Sequence, residues 1–176
     1  IISKKGNGAP RFSLLTEGGS YKSYKAQLGV NGSLQKLNYS IALSRTGSDG
    51  FSVASEKYGN TEKDGYNFNN ASALVGYSIS EKSEINIFTR FLKSESDNDQ
   101  SGGEFGDDPT YLTNQEEFSI RGEGKIKLFG GLWNQKFGLS FLRNVRNNSY
   151  DTSAASINYP FYVNDYSWAH YDGRKY

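Results

Sequence analysis

Apolar and polar residues alternate with a period of two along most of this chain, and helical periodicity is weak throughout. Phe12, Leu14 and Thr16 fall on one face of a first strand, with Ser13, Leu15 and Glu17 on the other. Gly18-Gly19-Ser20 predicts a tight turn. A second strand, from about Tyr21 to Ser33, sets Tyr24, Ala26, Leu28 and Val30 against Lys25, Gln27, Gly29 and Asn31. After a short turn at Gln35-Lys36, Leu37, Tyr39, Ile41 and Leu43 alternate with Asn38, Ser40, Ala42 and Ser44. A fourth strand carries Ala71, Ala73, Val75, Tyr77 and Ile79 on one side. A fifth, beyond Glu81-Lys82-Ser83, carries Ile85, Ile87 and Phe91. The sixth is the most regular: Phe118, Ile120, Gly122, Gly124, Ile126 and Leu128 alternate with Glu117, Ser119, Arg121, Glu123, Lys125 and Lys127. Beyond Gly130-Gly131, a seventh places Phe137, Leu139, Phe141 and Val145 opposite Lys136, Ser140, Asn144 and Arg146. After Asn147 the pattern fades into a polar, aromatic tail that reads as loop with room for one more strand.

Two features of this pattern select a class. The strands run to about 10–13 residues, longer than the usual mode of about 5–6 and enough for the about 9–11 that a tilted membrane strand needs. The connections alternate short and long, with long loops expected near 46–67, 96–115 and 147–170. Outer-membrane barrels sort their loops this way, with short turns at one end and long loops at the other. The expected fold is therefore all-β, an antiparallel transmembrane β-barrel of which this chain supplies about seven to eight strands. An ordinary antiparallel sheet with one solvated face is the competing reading of the alternation. Tyr21, Tyr24, Phe129, Trp133 and Tyr150 lie near strand ends, where interfacial aromatic girdles are expected.

Composition narrows the choice. Only 35% of residues are hydrophobic, yet 15% are aromatic, which disfavours disorder and suits strands that are apolar on one side. A net charge of +1 gives no reason to expect a nucleic-acid partner. The absence of Cys removes disulfides, thiol catalysis and Cys-type zinc sites. No long apolar run could form a membrane helix. Paired acids such as Glu116-Glu117 fall on opposite faces of a strand, and His170 has no supporting motif and reads as an ordinary surface histidine, so no catalytic set is expected. Arg45 and Arg143, near strand tops, are candidates to face outer-lipid phosphates, with exposed loop-base arginines as the alternative.

The stretch Ile1-Ile2-Ser3-Lys4-Lys5-Gly6 resembles the last plug strand of TonB-dependent outer-membrane receptors, where the chain leaves the plug and enters the barrel. Leu15-Thr16-Glu17-Gly18-Gly19-Ser20-Tyr21-Lys22-Ser23-Tyr24 is similar to the first barrel hairpin of that family. Asp49-Gly50-Phe51, Tyr58-Gly59-Asn60-Thr61 and Asp64-Gly65-Tyr66 most resemble the cobalamin receptor subgroup. The resemblance implies that 1–9 is the end of a plug domain and that 10–176 is the N-terminal portion of a plugged barrel of ~22 strands. It implies no enzyme activity. It implies TonB-dependent uptake of a scarce nutrient across the bacterial outer membrane, with cobalamin the first expected cargo and a ferric siderophore or haem next. The implied partners are the TonB complex, acting through the plug domain, and outer-membrane lipid and lipopolysaccharide. The alternatives are a small complete barrel or surface adhesin, and a soluble β-sandwich carbohydrate-binding module.

The resemblance also implies calcium held by acidic residues of the outer loops. Glu62 and Asp64 match two acidic positions of that pattern, and Asp49, Asp107 and Asp108 lie in the same pair of loops. Calcium takes oxygen ligands from flexible loops, so clustered carboxylates suit it. Ser52 stands where the family pattern has an Asp, and Lys63 adds a positive charge, so a solvated acidic loop is the alternative. Asp97-Asn98-Asp99 resembles part of a helix-loop-helix calcium loop but lacks the spacing to Gly and Glu. The expected substrate contacts are Tyr58, Asn60, Tyr66, Phe105 and Tyr111, because aromatics and amides suit a large planar corrinoid.

Overall fold

A computed structural model describes residues 5–52, 54–99, 110–151 and 166–175, with only the backbone described at 150, 151, 166–171 and 175. The strands are β1 (Arg11–Gly18), β2 (Tyr24–Leu34), β3 (Leu37–Ser48), β4 (Tyr66–Ser80), β5 (Ser83–Asp97), β6 (Leu112–Leu128), β7 (Trp133–Asp151) and β8 (Tyr166–Lys175). They form one eight-stranded sheet in sequence order. Every neighbouring pair is antiparallel. β1 and β8 are not paired with each other, so the described sheet is open at both edges. A sandwich would require a second sheet, and the described strands make only this one.

Because strands alternate direction, the connections sort by end. At one end are 35–36, 81–82 and 129–132. At the other are 19–23, 49–65, 98–111 and 152–165, three of them long. The long connections are shorter than the sequence suggests. β3 runs on to Ser48 and β4 begins at Tyr66, β5 reaches Asp97 and β6 begins at Leu112, and β7 continues to Asp151. These strand tops have few apolar residues and those do not keep to the apolar face, so the alternation fades there while backbone pairing, which needs no particular side chain, continues. β8 likewise occupies part of the tail expected as loop, with His170 opposite Asn147. In the other direction, Tyr21 and Lys22 belong to the β1–β2 turn rather than to β2.

The register assembles the apolar positions into rows. Leu28, Leu43, Ala71, Phe91 and Phe118 stand side by side across β2 to β6. Tyr39, Val75, Ile87, Gly122 and Leu139 form a parallel row across β3 to β7. This face is open: Leu28 is 55% exposed, Ile87 48% and Leu139 86%. The opposite face is the more buried one, with Asn86 at 6% and Ser94 at 8%. Among the described residues only Ala54, in a connection, and Leu74, on β4, are buried hydrophobic side chains, so the sheet has no hydrophobic core of the ordinary kind. A soluble monomer rarely exposes so extensive an apolar surface.

The polar face is held by charge pairing. Glu123 accepts from Lys136 at 2.7 Å and Arg121 at 3.0 Å, with Lys125 at 3.4 Å. Arg90 donates to Asn70 at 2.9 Å and pairs with Glu117 at 3.7 Å. The segment before β1 crosses this same face at the short-turn end. Ser33 N–H donates to the Gly8 carbonyl, Gly8 N–H to Ser33 Oγ, and Lys5 pairs with Glu84. Aromatic residues bracket the apolar rows, with Phe129 and Trp133 stacked at 6.3 Å at the short-turn end and Tyr21 and Tyr24 at the other.

One apolar-face contact depends on a missing side chain. Gly124 stands opposite Phe137, whose ring lies where a Cβ would project, with Cζ at 2.2 Å from that position. Gly124→Leu must lift the ring off the sheet and is expected to cost about 1–3 kcal/mol. Denaturant unfolding of the variant checks this, and Phe137→Ala in the same background should recover part of the loss.

Candidate functional site

The long-loop end is built by the 49–65 connection folding against its neighbours. Asp49 N–H and Ser48 Oγ both donate to the Tyr21 carbonyl, at 3.0 and 3.1 Å. Gly50 has φ +70, and a Cβ there would sit 1.9 Å from the Asp64 carbonyl oxygen, so the loop can close on itself only through glycine. Tyr21 and Phe51 rings pack at 5.4 Å beside this closure. Farther along, Ser55 caps a short helical turn, Glu56–Tyr58, that ends at Gly59 in the left-handed region.

Residues of two different connections meet above β5. Ala54 N–H donates to Asp99 Oδ2 at 2.6 Å, tying the 49–65 connection to the 98–111 connection. Ser52 Oγ lies 2.9 Å from Glu62 Oε1 and 2.8 Å from the Ala54 carbonyl, placing its single proton between two acceptors. The result is a half-buried group of three carboxylates, Glu62, Asp64 and Asp99, each offering an oxygen within 4.8 Å of the others. Grouped carboxylate oxygens of this kind are the donor type that a hard divalent cation takes.

The sequence expectations divide here. Glu62 and Asp64 are brought together, and Asp99 joins them from the other loop. Asp49 is outside the group: its carboxylate accepts from Lys22 at 2.8 Å and lies 3.9 Å from Lys63. The hydrogen bond from the Lys22 ammonium holds the Asp49 carboxyl below its ordinary pKa, and the same bond raises that of Lys22. Lys63, expected to intrude on the acidic group, lies within ion-pair distance of Asp49. Asp107 and Asp108 lie outside the described residues, as does Phe105.

Of the remaining expected substrate contacts, Tyr58 is the most open, 41% exposed, with the Lys57 ammonium 5.4 Å from its ring. Tyr66 opens β4 on the polar face and packs at 5.4 Å against Phe68, two residues on and on the same side. Tyr111 is half-buried, and its carbonyl accepts from Asn98 N–H at 2.9 Å. Asn60 is only 3% exposed and is not presented to a ligand in this arrangement. A cavity of about 300 Å³, lined in part by Asp49, Lys63, Tyr66, Glu95 and Asp97, opens beside these residues. No protein-family model, curated protein or solved structure matches the chain.

Proposed function

We propose that this chain forms part of the wall and outer vestibule of a TonB-dependent outer-membrane barrel that takes up a scarce nutrient. The observation that carries the reading is the reversed burial of the sheet. Apolar rows are exposed on one face from β2 to β7, while amides and ion pairs are gathered on the other. Hydrocarbon against the first face and a wet, plugged bore against the second would satisfy both. Sorting of the loops by end supports the same orientation, with long loops outward. Lys5 to Gly8 lie on the polar face, the side from which a chain leaving a plug would enter the wall. Energy would come through TonB acting on the plug, not through chemistry in this chain.

Cobalamin remains the first cargo, with a ferric siderophore or haem next. Tyr58, Tyr66 and Phe68 offer ring faces at the long-loop end. Calcium would be held by Glu62, Asp64 and Asp99, pinning the two connections that share the group. The test is a ligand titration on the full-length receptor, isolated from the outer-membrane fraction, with and without calcium. Corrinoid binding strengthened by calcium is expected. No corrinoid binding would remove the preferred cargo, and absence from the outer-membrane fraction would remove the function.

The same preparation gives a sharper measurement. Asp64→Asn and Asp99→Asn each delete one carboxylate charge from the group, and calcium affinity by calorimetry is expected to fall by about tenfold or more, since ligand charge tunes such sites. Asp49→Asn is expected to leave it within about twofold, because Asp49 is engaged by lysines instead. Equal affinity in all three variants would place calcium elsewhere.

A further inference from the structure

The apolar face, which the proposed function sets against hydrocarbon, carries a groove of its own. It has a volume of about 340 Å³ and spans β2 to β5, just below the long-loop end. Its walls are Leu28, Leu43 and Phe91, and its floor is low because Ala26 and Ala71 carry only a methyl each. Leu28, Leu43, Ala71 and Phe91 are neighbours in one register row, and Ala26, Arg45 and Asn69 form the next row toward the long-loop end. An apolar trough thus ends at a guanidinium and an amide.

Arg45 is held at that end. Its Nε donates to Tyr24 Oη at 3.0 Å, and Tyr24 Oη donates in turn to Asn67 Oδ1 at 3.1 Å. Among the described residues no carboxylate lies within ion-pair distance of Arg45, although carboxylates are plentiful at this end. The next cation along the row, Lys93, contrasts with it: Glu116 takes its charge at 3.2 Å. Arg45 is exposed on the same face as the apolar rows. A cation without a carboxylate partner, fixed by a tyrosine at the upper rim of an apolar trough, complements an amphiphile with an anionic head.

We propose that this groove seats an acyl chain of a phosphorylated outer-leaflet lipid, with the lipid's phosphate against Arg45 and Asn69. This rests on the membrane orientation of the proposed function. Small residues at Ala26 and Ala71 let the chain lie close to the backbone, and the guanidinium can present paired N–H groups to phosphate oxygens. The Tyr24 bond prepays the ordering of the long arginine side chain.

The test uses the full-length receptor, delipidated in detergent, with binding read by native mass spectrometry. The probes are monophosphorylated lipid A, its dephosphorylated form and inorganic phosphate alone. Wild type is expected to retain the phosphorylated lipid at about tenfold lower concentration than Arg45→Ala, and to show a similar gap between the two lipids. Inorganic phosphate alone is expected not to compete. Ala71→Trp, which fills the trough, is expected to weaken both lipids, and Arg45→Lys to recover part of the phosphate preference. Equal retention by wild type and Arg45→Ala, no preference between the two lipids, competition by phosphate alone, or indifference to Ala71→Trp would each overturn the site. Membrane fractionation run alongside separates the two readings. Protein present in the outer-membrane fraction without an Arg45 effect removes the lipid site alone, whereas protein absent from that fraction removes the proposed function with it.

Discussion

Placing an arginine at Ile87 is expected to destabilise the lipid-embedded protein by about 2–4 kcal/mol. Ile87 sits mid-strand on the apolar face, between Val75 on β4 and Gly122 on β6 in register, and is 48% exposed. In hydrocarbon a guanidinium there has no water and no carboxylate in its row to compensate it. In water the same substitution would relieve an exposed apolar side chain and change stability by no more than about 0.5 kcal/mol. The two environments thus give answers that differ several-fold. Ser40, on the opposite face between Asn31 and Leu74, is the control: Ser40→Lys is expected to stay within about 1 kcal/mol. Urea unfolding of the proposed receptor in lipid vesicles reads both changes. A neutral Ile87→Arg would mean that the exposed rows do not touch lipid.

The second large effect concerns the open edges. The chain Ile1–Tyr176 on its own is expected not to form a stable monomer in a bilayer. β1 has a partner only on its β2 side. β8 pairs with β7 only from Leu142 to Asp151, so Trp133 to Phe141 of β7 face no further described strand. Each backbone group left unpaired in hydrocarbon costs several kcal/mol, on the order of 2–7 by transfer measurements, and two edges expose many. The isolated chain should therefore appear as oligomers or aggregates in vesicles, whereas the proposed receptor, with further strands closing both edges, would fold. A heat-modifiable monomer of the isolated chain on gel electrophoresis would favour a small complete barrel instead.

Which parts of this arrangement could be read from sequence follows from what each part needs. The apolar rows were legible because a strand with one face in a different solvent must repeat every two residues; Phe118 to Leu128 does so without a break. The strand tops were not, because Leu112 to Gln115 and Asn147 to Asp151 are mostly polar and Tyr66 to Asn70 sets its rings, Tyr66 and Phe68, on the otherwise polar face, so the alternation breaks while a backbone ladder leaves no mark on side-chain choice. The tail leaves room for an eighth strand, but the bounds of β8 could not be placed because the alternation fades there. At the long-loop end, Glu62 and Asp64 stood out by charge and by resemblance. Asp99 did not join them, because its neighbours come from a connection more than thirty positions earlier and no spacing rule spans that distance. Asn60 was legible as a polar loop residue but not as a buried one, since burial in a loop depends on how the loop folds back.

These 176 residues contain no cysteine, so a thiol label placed among them meets no native one there, and one measurement is decisive. Single cysteines placed in turn along β4 from Ala71 to Tyr77 and along β6 from Phe118 to Gly124 can each carry a nitroxide label in the protein reconstituted in lipid. Electron paramagnetic resonance then compares access of oxygen with access of a water-soluble nickel chelate. Labels at 71, 73, 75, 77, 118, 120, 122 and 124 should favour oxygen, and those at 72, 74, 76, 119, 121 and 123 should not, giving a period of two. Chelate access at the first set, or no alternation at all, would contradict a lipid-facing sheet.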